Sequence, residues 1–307
     1  MRSLARTHGV MLAGLLCAGC VSFHQGALPG EPPAQKTQAK SADYVQLGAT
    51  RVRYETYGTG RPVILIHGFA SSLNVWADVG KEVAKTRQVV ALDLKGFGWT
   101  DRPAGDYSPA AQARLVLELA DHLGLKEFDL VGHSWGASVA LKVALIAPDR
   151  VGKIALYDAW VYAEQLPTFF NWARTPFLGE AMFALWYQER PGDKMVGAFY
   201  DTSYVTEEFV ESVEKQISRP GTNAAALEAV RGQTYEKWQD DYKSLPHPTL
   251  LLWGENDLVT RLEFGQKLAN DLPNATLITY PRCGHFPMIE ARSQSTRDLL
   301  NFLEETE

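Results

Sequence analysis

The chain has 307 residues, 46% of them hydrophobic and 21% charged, with a formal net charge of -6 at pH 7. That is ordinary globular composition, long enough to bury a core without a metal or disulfide scaffold. The acidic balance argues against a nucleic-acid binder, and no run of eighteen apolar residues offers a spanning helix. Cys17, Cys20 and Cys283 are too few and too unevenly spaced for a zinc site or a disulfide framework.

The N-terminus reads as a targeting segment. Arg2 and Arg6 precede a short apolar run from Val10 to Leu16, followed by the small residues Ala18 and Gly19 and then Cys20. This is the layout of a secretory signal peptide over residues 1–19, too short to span a bilayer and excluded from fold reasoning. Its end resembles a bacterial lipobox, which implies acylation of Cys20, although Cys17 stands where leucine is usual. Residues 20–43 then form a linker rich in Pro, Gln, Ala and Gly, a coil reaching on the order of 25 Å. Removing the leader strips two arginines and no acid, so any membrane attachment must come from acyl chains rather than charge.

Tyr44–Leu47 and Arg51–Tyr57 alternate polar and apolar around Gly48-Ala49-Thr50, which predicts an antiparallel hairpin. Short continuous apolar runs follow at Val63–Ile66, Val89–Leu92, Phe128–Val131, Ile154–Tyr157, Thr249–Trp253 and Thr276–Ile278. Runs apolar on both faces suit a parallel sheet covered by helices. Between them, Ser108-Pro109 opens a helix that Gly124 closes, and a second runs from about Trp135 to Ala147 before Pro148. The expected fold is α/β, with core segments 44–160 and 246–307. Residues 161–245 break the rhythm: they hold nearly half of the aromatic residues and no convincing strand. They are expected to form a helical lid between the sixth and seventh core strands.

Gly132-His133-Ser134-Trp135-Gly136 follows a strand and precedes a helix. A strained turn there would present the Ser134 hydroxyl, and Gly132 and Gly136 would let strand and helix approach. A serine needs a base. Among seven histidines only His285 has a loop of its own after a strand, whereas His67 and His133 suit structural hydrogen bonding. An orienting carboxylate is available at Asp257 after the seventh strand, or at Asp158 after the sixth. Two backbone N–H donors for an oxyanion are expected from Trp135 and from Phe69 in His67-Gly68-Phe69. Cys283 is expected to be a passive packing thiol.

Together these motifs resemble the α/β-hydrolase family, specifically its lid-bearing serine members, over roughly residues 44–305. The segment Asp93–Asp101 also fits, with Lys95 where arginine is more usual, and is expected to set a loop. The resemblance implies a mostly parallel eight-stranded sheet, no cofactor or metal, and acyl transfer to water by Ser134, His285 and Asp257; some relatives place the acid at the position of Asp158. A serine at the elbow excludes the dehalogenase and epoxide hydrolase chemistries, which need a carboxylate there. A small to medium hydrophobic ester is the first expectation for the substrate. A carbon–carbon bond hydrolase, an amidase or aminopeptidase, a haloperoxidase or perhydrolase, and a non-catalytic binding protein are the alternatives.

Overall fold

The computed structural model describes residues 43–186 and 191–305. The expected leader, Cys20 and almost all of the expected linker lie outside the described residues. Eight strands form one sheet: β1 (Asp43–Leu47), β2 (Thr50–Tyr57), β3 (Pro62–Ile66), β4 (Gln88–Leu92), β5 (Phe128–His133), β6 (Val151–Tyr157), β7 (Thr249–Gly254) and β8 (Ala275–Tyr280). Their order is β1-β2-β4-β3-β5-β6-β7-β8. β2 runs antiparallel to β1 and β4, and every later pairing is parallel. The fold is that of the mostly parallel, helix-covered sheet expected from the apolar runs.

Those runs are apolar on both faces because both faces are covered. Ile64, Ile66, Leu130 and Leu156 pack into one hydrophobic layer with residues of α2 (Pro109–His122) and α3 (Trp135–Ile146). Their alternating neighbours Val63, Leu65, Val131 and Tyr157 pack into the other, against α1 (Ala77–Val83) and the C-terminal α11 (Arg292–Glu304). The last run differs. β8 is an edge strand with a half-exposed pattern, in which Thr276 is exposed and Tyr280 buried.

Local signals explain the ends of α2. The Ser108 hydroxyl accepts the Ala111 N–H at 3.2 Å, Pro109 occupies the first turn, and Gly124 leaves the helix at φ 69°. Between β6 and β7 the described residues contain only helices and turns: α4 (Thr168–Ala173), α5 (Leu178–Trp186), α6 (Pro191–Val196), α7 (Glu207–Ile217) and α8 (Thr222–Arg231). α9 (Leu262–Asp271) and α10 (Pro287–Glu290) complete the set. No described helix is long and apolar enough to cross a membrane. Parallel strands end on one edge of the sheet, so the loops after β3, β5, β6, β7 and β8 converge there.

Candidate active site

β5 passes directly into Ser134, whose backbone sits at φ 52°, ψ -122°, a conformation non-glycine residues seldom adopt. α3 begins at the next residue. The turn needs bare flanks. A Cβ on Gly132 would fall within 2.8 Å of the Ala137 Cα and the Gly136 carbonyl oxygen, and one on Gly136 would overlap the carbonyl oxygens of Ile66 and His67. Neighbouring backbone holds the strain in place. Ser134 N–H donates to the Tyr157 carbonyl at 2.9 Å, and the Ser134 carbonyl accepts from Ala137 and Trp160, each at 3.0 Å.

The loop after β3 runs beside this serine: a Cβ on Gly68 would lie 3.0 Å from the Ser134 Cβ. His67 shapes that loop. The Leu94 N–H donates to its Nε2 at 2.9 Å, which places the proton on Nδ1, and Nδ1–H donates to the Gly68 carbonyl at 2.7 Å. Burial holds the His67 pKa below its ordinary value, so the ring is neutral and this tautomer persists. The Asp93–Asp101 segment backs the loop. The Asp93 carboxylate accepts the Leu73 and Trp99 N–H groups, each at 2.7 Å. Phe69 and Trp135, the two expected oxyanion donors, flank the serine with their rings 6.0 Å apart, edge to face. Among the described residues neither backbone N–H is committed to a protein acceptor.

Asp257 and His285 meet after β7 and β8. The Asp257 Oδ2 lies 2.8 Å from the His285 Nδ1. Its Oδ1 accepts the Val259 and Thr260 N–H groups at 2.7 and 3.1 Å, and Oδ2 also accepts the Thr260 hydroxyl at 2.6 Å. Burial pushes this carboxyl up, but His285 and the Thr260 hydroxyl outweigh it and hold Asp257 well below the usual carboxylate range. Asp158, the other acid in reach, makes no hydrogen bond to His285. One polar atom from each of Asp158, Asp257 and His285 lies within 4.8 Å of the other two. The direct Asp257–His285 bond leaves no gap for an ion between that pair.

His285 is anchored through its backbone. Its N–H donates to the Ala198 carbonyl at 2.7 Å, and its own carbonyl accepts the His133 Nε2–H at 2.8 Å. The rings of His133 and His285 sit 4.8 Å apart, so the residue before Ser134 packs against the imidazole. The Ser134 hydroxyl and the imidazole are not themselves hydrogen-bonded. Sequence reasoning missed three contributors here: His133 as an anchor of the His285 carbonyl, Thr260, and Glu290. The Glu290 carboxylate accepts the Gly284 N–H at 2.8 Å on one oxygen and the Tyr200 and Asp201 N–H groups at 2.8 and 3.0 Å on the other. It ties the His285 loop to the insertion. The spacing Asp257-x-x-Thr260, a local side-chain-to-backbone turn, was the one readable signal. Cys283 is buried with its thiol 3.6 Å from the Gly284 carbonyl, and burial above all pushes its pKa up, so it is no nucleophile.

A cavity of about 940 Å³ opens beside these loops. Ser134 and His285 do not line it, but their neighbours Phe69 and Phe286 do, with Phe169, Phe170, Met182 and Met195 from the insertion. Its charged lining residues, Asp78 and Arg292, are ion-paired to each other.

The model of a family described as the alpha/beta hydrolase fold matches residues 61–292. This chain belongs to that family. A 2-hydroxy-6-oxo-2,4-heptadienoate hydrolase from Pseudomonas putida is 30% identical to this alpha/beta hydrolase over 274 residues, covering 84% of this chain and 95% of its relative. A meta-cleavage product hydrolase of known structure is 27% identical with a TM-score of 0.73, covering 86% of this chain and 98% of its own. A thermophilic esterase from Thermogutta terrifontis is 25% identical with a TM-score of 0.73, covering 85% and 98%. The chain is therefore a hydrolase similar both to enzymes of meta-cleavage products and to esterases.

Proposed function

We propose that this hydrolase cleaves neutral, hydrophobic carboxylic esters through an acyl-enzyme formed on Ser134. The observation that carries the reading is the Asp257–His285 bond set against a strained serine at the sheet edge, next to an apolar cavity. His285, holding Nδ1–H toward Asp257, takes the Ser134 proton on Nε2 as Oγ attacks the carbonyl carbon. The Phe69 and Trp135 N–H groups receive the resulting oxyanion. Collapse breaks the bond to the alcohol, which leaves with the proton from His285. Water then gives a proton to His285 and its oxygen to the acyl carbon, and Ser134 regains its proton as the acid departs. The helices between β6 and β7 serve as a lid that keeps bulk water from the acyl-enzyme.

The choice of ester over a carbon–carbon bond substrate rests on charge. A heptadienoate carries a carboxylate, which calls for a matching cation in the pocket. Among the described lining residues the one cation, Arg292, is already paired with Asp78 and its side chain is 57% exposed. The protein without its leader, tested on p-nitrophenyl esters of graded chain length and on a 2-hydroxy-6-oxo-dienoate, is expected to favour the medium-chain ester in kcat/KM by about 100-fold or more, since an unpaired buried charge costs several kcal/mol. Preference for the dienoate would reverse the assignment.

The proposal extends to location: an exported protein held at a membrane by acyl chains on Cys20. Cys20→Ala is expected to move the protein from the membrane fraction to the soluble one on cell fractionation, and an unchanged distribution would remove the anchor.

A further inference from the structure

Asp158 has no part in the mechanism above, yet it occupies the centre of the site. It follows β6 directly, is fully buried, and holds a φ of 42°. Its N–H donates to the Leu252 carbonyl at 3.1 Å, its carbonyl oxygen lies 3.0 Å from the Thr260 hydroxyl oxygen, and its Oδ1 accepts the Gly254 N–H at 3.0 Å. Oδ2 is buried and meets no N–H or hydroxyl donor among the described residues. Beside it lies the Asp257 carboxyl group, with one polar atom of each acid within 4.8 Å of the other. The other titratable groups around it are the Glu290 carboxylate, the Cys283 thiol, the Tyr157 phenol and the His285 imidazole.

Two dry carboxylates cannot both stay ionised beside a single imidazole. Asp257 receives three other donated hydrogen bonds and the His285 Nδ1–H, whereas Asp158 receives one. The shared proton therefore belongs on Asp158. We infer that Asp158 is a positioning residue whose carboxylic acid O–H donates to the Asp257 carboxylate and fixes the oxygen that receives His285. The inference rests on the triad reading above. The electrostatics agree: burial, then the Asp257 charge, pushes the Asp158 pKa well above its ordinary value, opposite to Asp257. The left-handed backbone at Asp158 aims this acid inward, and aspartate or asparagine tolerates it better than other side chains.

The test compares Asp158→Gly, Asp158→Asn and the unaltered protein. Glycine accepts the backbone but removes the donor, and kcat is expected to fall roughly tenfold at constant KM, the scale of a lost outer hydrogen bond. Asparagine restores an N–H toward Asp257 and a carbonyl toward Gly254, and is expected to recover the rate. A second readout follows from linkage. Native Asp158 keeps a proton that the unfolded chain releases above a pKa of about 3.9. The native state then binds more protons, so this group's contribution to stability falls as pH rises above that value. Asp158→Asn removes the loss, and its Tm advantage over the unaltered protein should grow steadily from pH 5 to pH 8. A flat Tm difference, or asparagine failing to rescue the rate, overturns the inference. Failure of Ser134 to act as nucleophile would sink the enzyme reading alone, because the pH-dependent Tm arm does not require turnover.

Discussion

Ser134→Ala is expected to lower kcat on the best p-nitrophenyl ester by about 10⁴- to 10⁶-fold, with Tm essentially unchanged. The size follows from what is removed. Without Oγ no acyl-enzyme forms, and only the donors and the pocket remain to stabilise direct attack by water. In serine hydrolases generally the residual advantage over water without the nucleophile is about 10³–10⁴. A loss of 10⁶ corresponds to about 8 kcal/mol of transition-state stabilisation. Stability should not follow activity, because alanine keeps the Cβ and inherits the same strained backbone at φ 52°. The check is twofold: steady-state kinetics, and intact-mass detection of a fluorophosphonate adduct that the variant no longer forms. Retention of more than a hundredth of the rate would mean that another group performs the attack and that Ser134 is not the nucleophile.

The sheet was legible in the sequence because a strand covered on both faces has no polar positions to disguise it. Val63–Ile66 and Val89–Leu92 are fully buried or nearly so, and their composition says as much. The N-terminus of α2 was legible through Ser108-Pro109 and the serine turn through Gly132 and Gly136, since each residue type answers a local demand of the backbone. The partners of His285 were harder. Asp257 and Asp158 both follow strands that end beside the imidazole, and only the folded loops decide which carboxylate reaches Nδ1. Glu290 was invisible because its three N–H partners lie in Gly284, Tyr200 and Asp201, with two of them about ninety residues away in sequence. No local pattern encodes such a contact. The insertion's aromatic excess announced packing, but which rings reach the cavity depends on helix orientation that composition does not carry.

Gly136→Ala is expected to destabilise the protein by about 3 kcal/mol or more, a heavy cost for one methyl group. The obstacle is backbone on both sides. The new Cβ would press on the carbonyl oxygens of Ile66 and His67, which end β3 and open the loop beside Ser134. Neither oxygen can rotate away as a side chain would. α3 must therefore lift from the sheet, or the His67–Gly68 loop must move. Either motion also shifts the Phe69 N–H relative to Ser134, so the folded fraction should lose activity beyond what its lowered stability explains. Gly124→Ala supplies the control. That glycine has φ 69° but open space around it, so alanine there should cost only the left-handed backbone penalty of about 1–2 kcal/mol. Urea unfolding of the two variants, with kcat measured well below either midpoint, separates the contributions. If Gly136→Ala matched Gly124→Ala in both stability and rate, close approach of strand and helix would not be what presents the serine.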